Sequence, residues 1–241
     1  MNIDMSIDLV YILGSGSRWD DNEIRYSLRS MQRHLRFFNK VFIVGRLPEF
    51  LTNVIHIPAE DDGNSKEHNI CRKIAVACRD ERVSRRFLMC NDDHFLLTPH
   101  IASAFPFYYD GELQALLSRT DRTKPYGIAI SNTIKYLSGC RSRNYDVHCP
   151  VVYNKTDFLN YLTGPNWSDL AGYLIKSIYC NKAGVPGEAI NDIKIDGGYD
   201  CRYYEGWIHG RPWFSTGHRI DFEEMWKLME KIYPVKSIYE I

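Results

Sequence analysis

Apolar residues in this chain follow two rhythms. Residues 7–13 form a short apolar run that ends in Gly14-Ser15-Gly16-Ser17, which predicts a buried strand running into a flexible loop. Asp20 and Glu23 then stand in capping-box spacing, and Ile24, Leu28, Met31 and Leu35 keep helical spacing to about Phe37, which predicts a helix. Residues 41–44 and 54–57 read as two more buried strands, closed by Gly45 and Pro58. Ser65 is the expected cap of a second helix, with Ile70, Ile74 and Cys78 on one face. Residues 87–90 form a fourth apolar run, which meets Asn91-Asp92-Asp93-His94 directly. Strands alternating with helices predict an α/β fold with a mostly parallel central sheet flanked by helices.

The second half is less regular. Residues 126–130 read as a strand, and residues 156–162 and 168–179 read as helices. Asp221 and Glu224 repeat the capping-box spacing ahead of a stripe of Phe222, Met225, Trp226 and Met229. Residues 184–198, rich in Gly and Asp, read as a loop. With no linker, repeat or low-complexity tract in view, the expectation is a single domain over 1–241. Residues 1–100 would be its nucleotide- and metal-binding half, and 101–241 its acceptor-side half.

Composition narrows the class. Of 241 residues, 44% are apolar and 25% charged, enough to build a core. Thirty basic and thirty acidic residues cancel, so net charge does not indicate a nucleic-acid partner, although a local basic strip would permit one. No run approaches the roughly 20 apolar residues of a membrane span, and the first residues lack the pattern of a signal peptide. Seven irregularly spaced cysteines show no close Cys-x-x-Cys pair; they read as reduced core residues, and the expected location is cytoplasmic.

The chemistry centres on Asp92 and Asp93. Ligands of open α/β sheets sit beyond the carboxyl ends of the strands. Two neighbouring carboxylates there repel and lose hydration unless a cation joins them, and Mg²⁺ or Mn²⁺ takes oxygen ligands together with substrate phosphates. A turn in which the two side chains merely cap Thr98 or its neighbours is the alternative reading. Arg25 and Arg29 share one helix face next to the loop at 14–17, where backbone donors suit an anion; a solvated charged face is the alternative there.

The segment Asp21-Asn22-Glu23-Ile24-Arg25-Tyr26-Ser27-Leu28-Arg29-Ser30 resembles the "DNEELRYSLRSI" block of the Stealth family, which includes capsular polysaccharide phosphotransferases. Lys40-Val41-Phe42-Ile43-Val44 resembles that family's "KIFIVT" strand, Leu47-Pro48-Glu49-Phe50-Leu51 its "VPSWL" turn, and Phe87-Leu88-Met89-Cys90-Asn91-Asp92-Asp93-His94-Phe95 its "FIYFNDDVF" strand end. These blocks fall in the family's order within residues 8–97. The resemblance implies a GT-A-like nucleotide-sugar transferase with a divalent metal at Asp92 and Asp93, and it brings Asn22, Arg25 and Arg29 into the site. The family's first block, "YTWVDGSDP", is replaced here by Tyr11-Ile12-Leu13-Gly14-Ser15-Gly16-Ser17, with no acid before Gly14. Lys66, Arg72 and Lys73 lie in a loose match to a further block and have the charge to serve phosphates. His148-Cys149-Pro150 resembles a late "H-x-P" element.

The expected activity is therefore metal-dependent transfer of a sugar from a nucleotide-sugar donor to a hydroxyl acceptor, either a surface polysaccharide or a phage-related acceptor such as modified DNA. Gly14, Ser15, Asn22, Arg25, Arg29, Lys73 and Lys176 would hold the donor, Asp92 and Asp93 the metal, and Asp93, His148 and Asp192 would act in the reaction. Asp146 would orient His148, which would take the acceptor proton or bind a phosphate. Trp213 and Phe214 offer faces for sugars or bases, or simply core. Three competing activities remain: a Stealth-type sugar-1-phosphate transferase that releases nucleoside monophosphate, a non-catalytic nucleotide- or carbohydrate-binding module, and a DNA-base glycosylating enzyme.

Overall fold

The computed structural model describes residues 7–62, 65–167, 171–191 and 193–241. Strand β1 (Ile7–Leu13) is buried along its whole length, as a strand covered on both faces must be. Helix α1 (Asn22–His34) follows, and the chain returns through β2 (Leu35–Arg36), β3 (Phe38–Gly45) and β4 (Ile55–Ile57). Helix α2 (Lys66–Arg79) leads into β5 (Arg86–Cys90) and β6 (His94–Leu96). The middle of the chain carries β7 (His100–Ile101), β8 (Tyr108–Tyr109), α3 (Leu113–Ser118), α4 (Pro125–Tyr136), β9 (Val151–Asn154), α5 (Lys155–Leu162) and α6 (Ile175–Lys182). The last part holds β10 (Glu188–Ala189), β11 (Lys194–Ile195), α7 (Cys201–Ile208), β12 (Trp213–Thr216) and α8 (Phe222–Ile232).

The central sheet has the order β4-β3-β1-β5-β9, parallel except for β9. The fold is thus mixed α/β with a mainly parallel central sheet flanked by helices. Alternation along β1 sends Val10 and Ile12 into a core shared with α2, α5 and α6, and Leu9, Tyr11 and Leu13 into a core shared with α1. Each fully buried aliphatic or aromatic side chain of this kind stabilises the fold by on the order of 2 kcal/mol. A smaller sheet, β11-β12-β6, continues from the end of β5 and runs antiparallel at β12–β6. It packs with α7 and α8 into a third core.

Two local rules explain how the site end is kept open. Ser65 caps α2, its side chain accepting from the His68 backbone N–H at 3.1 Å. Gly45 ends β3 with φ +114°, where any Cβ would fall 2.0 Å from the Leu13 carbonyl oxygen. Only glycine fits that close approach.

Several elements differ from the sequence expectation. Residues 126–130 are helical, inside α4, because Pro125 sits in its first turn and presets the helical φ. The capping box at Asp20 and Glu23 does not form. Asp20 and Asp21 take left-handed φ of 51° and 58°, Asp21 makes no side-chain cap, and Glu23 accepts from Ser17 Oγ at 2.8 Å instead. The first helix stops at His34 rather than near Phe37. Of residues 168–179, helix is found from Ile175 onward, and 168–170 lie outside the described residues. Within 184–198 two short strands replace a continuous loop. At the start of α8, Asp221 caps as expected, accepting from the backbone N–H groups of Glu223 and Glu224, while Trp226 is half exposed and not part of a buried stripe.

Candidate functional site

Strand β5 is apolar and buried from Phe87 to Cys90, and the chain then turns sharply so that β6 can pair with β12. That turn, closed by His94 N–H on the Asn91 carbonyl at 3.4 Å, holds Asp92 and Asp93 at the carboxyl end of the sheet. Strand β12 brings Ser215, whose hydroxyl donates to Asp93 Oδ2 at 3.0 Å. Asp93 Oδ1 is buried and has no hydrogen-bond partner.

His94 stands behind this carboxylate and is wholly buried. Burial, with help from the nearby Lys176, His148 and Lys194, drives its pKa well below the ordinary value, so the ring is neutral. Its Nδ1 accepts from the Asn91 backbone N–H at 3.2 Å, which places the ring proton on Nε2. That Nε2 has no hydrogen-bond partner and lies 3.9 Å from Asp93 Oδ1, a donor facing an acceptor across slightly too wide a gap.

In front of the carboxylates lies a cavity of about 640 Å³. The loop at 14–17 forms one wall, α2 contributes Asn69 and Lys73, and Lys194 and residues 216–218 close the opposite side. Glu23 faces the same space as a third acid, and burial, with Asp21 and Asp93 nearby, raises its pKa. Asp92 is pushed up to about 7 by burial and then by the charges of Asp93 and Glu23, with Lys66 pulling the other way. Lys73, 2% exposed, ties the wall together by bonding the Leu13 carbonyl at 2.8 Å and Asp61 Oδ1 at 2.7 Å. The half-buried His148 lines the cavity, with Lys194 Nζ 3.2 Å from its Nε2.

The expected site residues divide cleanly. Gly14, Ser15, Lys73, Asp92, Asp93 and His148 all line this one cavity. Asn22, Arg25 and Arg29 do not. Asn22 donates to the Trp19 carbonyl at 2.8 Å and accepts from Arg25 Nε at 3.2 Å. Arg25 stacks 3.9 Å over the Phe50 ring and pairs with Glu240 at 3.0 Å. Arg29 holds Glu240 through two bonds of 2.9 Å and also meets Glu230 and the Tyr233 carbonyl. Their charge is spent on anchoring the residues near 240. Lys176 lines a neighbouring, smaller cavity. Asp146 accepts from Tyr126 Oη at 3.2 Å. Trp213 and Phe214 are fully buried, Trp213 against Tyr108 with ring centres 4.4 Å apart, so both are core. Asp192 lies outside the described residues. Glu23, Lys66, Lys194 and His218 line the cavity without having been assigned to the site; the available signals were the basic character of Lys66 and the place of Lys194, two positions after Asp192.

Among the described residues, no three His, Cys, Asp or Glu side chains converge closely enough to form a complete metal cage. The donor set nevertheless fits a hard divalent ion that keeps waters and takes further ligands from a substrate: two adjacent carboxylates lining the cavity, one with an unpaired buried oxygen and the other driven up by burial and by its acidic neighbours.

No family model matches this chain, and no curated protein matches it. Among solved structures it is similar to the apo form of mouse xyloside xylosyltransferase 1, with a TM-score of 0.40 and 10% identity over 98% of this chain and 96% of that chain. An overlap this loose says nothing about donor or acceptor. No helix among the described residues is long and apolar enough to cross a membrane.

Proposed function

We propose that the chain is a metal-dependent, GT-A-like glycosyltransferase that moves a sugar from a nucleotide-sugar donor to a hydroxyl acceptor. One observation carries this reading. Asp92 and Asp93 stand side by side at the end of the central parallel strands and line a cavity large enough for a nucleotide diphosphate, with Asp93 Oδ1 buried toward His94 and without a hydrogen-bond partner. Asp92 and Asp93 would hold a Mn²⁺ or Mg²⁺ ion, which when bound supplies positive charge against the departing diphosphate.

The chain's own residues then have distinct tasks. Ser215 fixes one oxygen of Asp93 and His94 Nε2–H faces the other, so the carboxylate is held in one orientation. The loop at 14–17 offers backbone N–H groups to the donor, Lys66 supplies positive charge to the cavity, and Lys73, paired with Asp61, holds the wall in place. His148 is the group that accepts the acceptor's proton. Its Nε2 is occupied by the Lys194 ammonium. A diphosphate entering the cavity draws Lys194 away and frees the Nε2 lone pair for that proton.

The four ordered blocks that resemble the Stealth family favour a second reading, in which attack falls on the sugar-linked phosphorus. The two readings differ in the released nucleotide. A panel of nucleotide sugars with Mn²⁺ or Mg²⁺, assayed separately for nucleoside mono- and diphosphate, should give diphosphate. Monophosphate release would replace the reading with sugar-phosphate transfer, and metal-dependent binding without turnover would reduce the chain to a binding module.

A further inference from the structure

A second cavity of about 230 Å³, room for roughly one sugar ring, opens beside the first, and Lys66, Ile70, Asn91 and His148 line both. Nothing in the donor-binding reading says what this side chamber holds. Three independent features of its wall ask for a ligand of one kind.

The first is Lys176. It is 8% exposed, and its ammonium donates to the carbonyls of Val147 and Cys149, each at 2.8 Å. Two carbonyls use two of its three N–H groups. Among the described residues no carboxylate comes within the 4.0 Å of an ion pair, although Glu67 and Asp146 line the same chamber. A buried cation without a counter-charge is costly, and neutral carbonyls offset only part of that cost.

The second is the start of α6. Tyr173, Leu174, Ile175 and Lys176 all line the chamber, and no side chain caps this helix. The first-turn N–H groups add partial positive charge where Lys176 already supplies a full one.

The third is Tyr153. Its side chain lines the chamber and is 0% exposed, and its hydroxyl has no hydrogen-bond partner. A buried hydroxyl left unbonded is rare unless a ligand completes it. The ring of Tyr153 is packed among Phe87, Phe158 and Tyr179, which holds its hydroxyl in place, and Tyr173 lines the same wall.

We propose that the side chamber is a subsite for a carboxylate-bearing sugar, a hexuronate in chemical class, with its anion at Lys176 and the first turn of α6 and a ring hydroxyl at Tyr153 Oη. That this sugar is the one transferred rests on the glycosyltransferase reading; the chemistry of the chamber does not. A sugar phosphate shares the negative charge, so the test separates it.

The test measures affinities of the wild-type protein for methyl β-D-glucuronide, methyl β-D-glucoside and glucose 6-phosphate by titration calorimetry. The glucuronide should bind at least about tenfold more tightly than the glucoside, the scale of one hydrogen bond to a charged group. Equal affinities, or tighter binding of glucose 6-phosphate, overturn the proposal. Lys176→Met should erase the preference, whereas Lys176→Arg, which keeps the charge, should retain it if the methionine variant does not fold. Tyr153→Phe should weaken both methyl glycosides a few-fold and leave their ratio intact. UDP, GDP, ADP and CMP, each with Mn²⁺, are titrated in parallel. Nucleotide binding without a glucuronide preference removes the subsite and leaves the transferase reading standing. A glucuronide preference without nucleotide binding does the reverse.

Discussion

Two sets of acidic side chains in this protein meet opposite fates. Glu240 has a side chain with no exposed surface, and it is gripped by Arg29, Arg25 and the backbone and hydroxyl of Ser237. Burial alone would raise its pKa, but the Arg29 and Ser237 bonds outweigh it and bring the carboxyl down to about 2. Asp92, at the end of β5, is raised to about 7 by burial and then by its acidic neighbours Asp93 and Glu23. Every lone pair of Glu240 is accounted for from within the chain, which is how a protein treats a charge it uses as a rivet. The acid pair lacks that internal balance, and the missing charge has to come from outside. The contrast separates structural from functional acids in this protein more sharply than charge or position does.

The largest effect expected is on turnover. Asp93→Asn keeps the shape of the side chain and removes its charge, and should cut the transfer rate by about 10³-fold, as the loss of a principal charge-stabilising group does. The melting temperature should stay at or above that of the wild type. An Asp93→Asn enzyme with normal turnover in the donor-panel assay would move the chemistry elsewhere.

Next comes Glu240→Gln, the same exchange at the satisfied acid. It leaves Arg29 buried against a neutral partner and should cost about 3 kcal/mol of unfolding free energy in urea titration, with turnover of the folded fraction unchanged. The pH dependence has a definite sign. The folded pKa lies below the unfolded one, so the stabilisation is fully present above about pH 4.5 and drains away as pH falls toward about 2. The urea midpoint of the wild type should fall across that window, and that of Glu240→Gln should fall less. Parallel curves for the two proteins would show that Arg29 does not hold this carboxylate in solution.

The same contrast explains what could be read from the sequence. The strands were legible because unbroken apolar runs need cover on both faces, and the parallel sheet provides it for residues 7–13, 41–44 and 87–90. The acid pair was legible because two charges ending such a run have few structural uses. Arg25 and Arg29 were misplaced because their partner Glu240 lies 215 and 211 positions away, and no local pattern encodes a pairing at that distance. Residues 126–130 misled for a different reason: a run of five apolar or small residues carries no period, and Pro125 sets a helix there. The side chamber was invisible, since Lys176 reads from the sequence as a donor-binding residue and nothing local joins it to Tyr153, which comes from a separate element.

A subtler break of the comparison concerns His94. If its Nε2–H steadies Asp93 Oδ1, His94→Leu should weaken Mn²⁺ binding about tenfold, the lower end for a residue that orients a metal ligand, as read by calorimetry without any donor. His94→Gln, which keeps an N–H, should recover part of that loss. Unchanged Mn²⁺ affinity in both variants would leave the 3.9 Å gap as packing alone.

The smallest effect should also have the opposite sign. Asp92→Asn exchanges a carboxylate for an amide just as Glu240→Gln does, but it removes a charge that burial and two neighbouring acids resist. Asp92 keeps some contact with solvent and water screens part of the repulsion, so the relief is modest. In EDTA at pH 8 the variant should be more stable than the wild type by about 1 kcal/mol, the pattern of a site that gives up stability for function. Saturating Mn²⁺ should reverse the order, because only the wild type gains binding energy from the ion. If Asp92→Asn instead unfolds more easily than the wild type in EDTA, the two acids at the end of β5 are rivets like Glu240, and the metal reading fails with them.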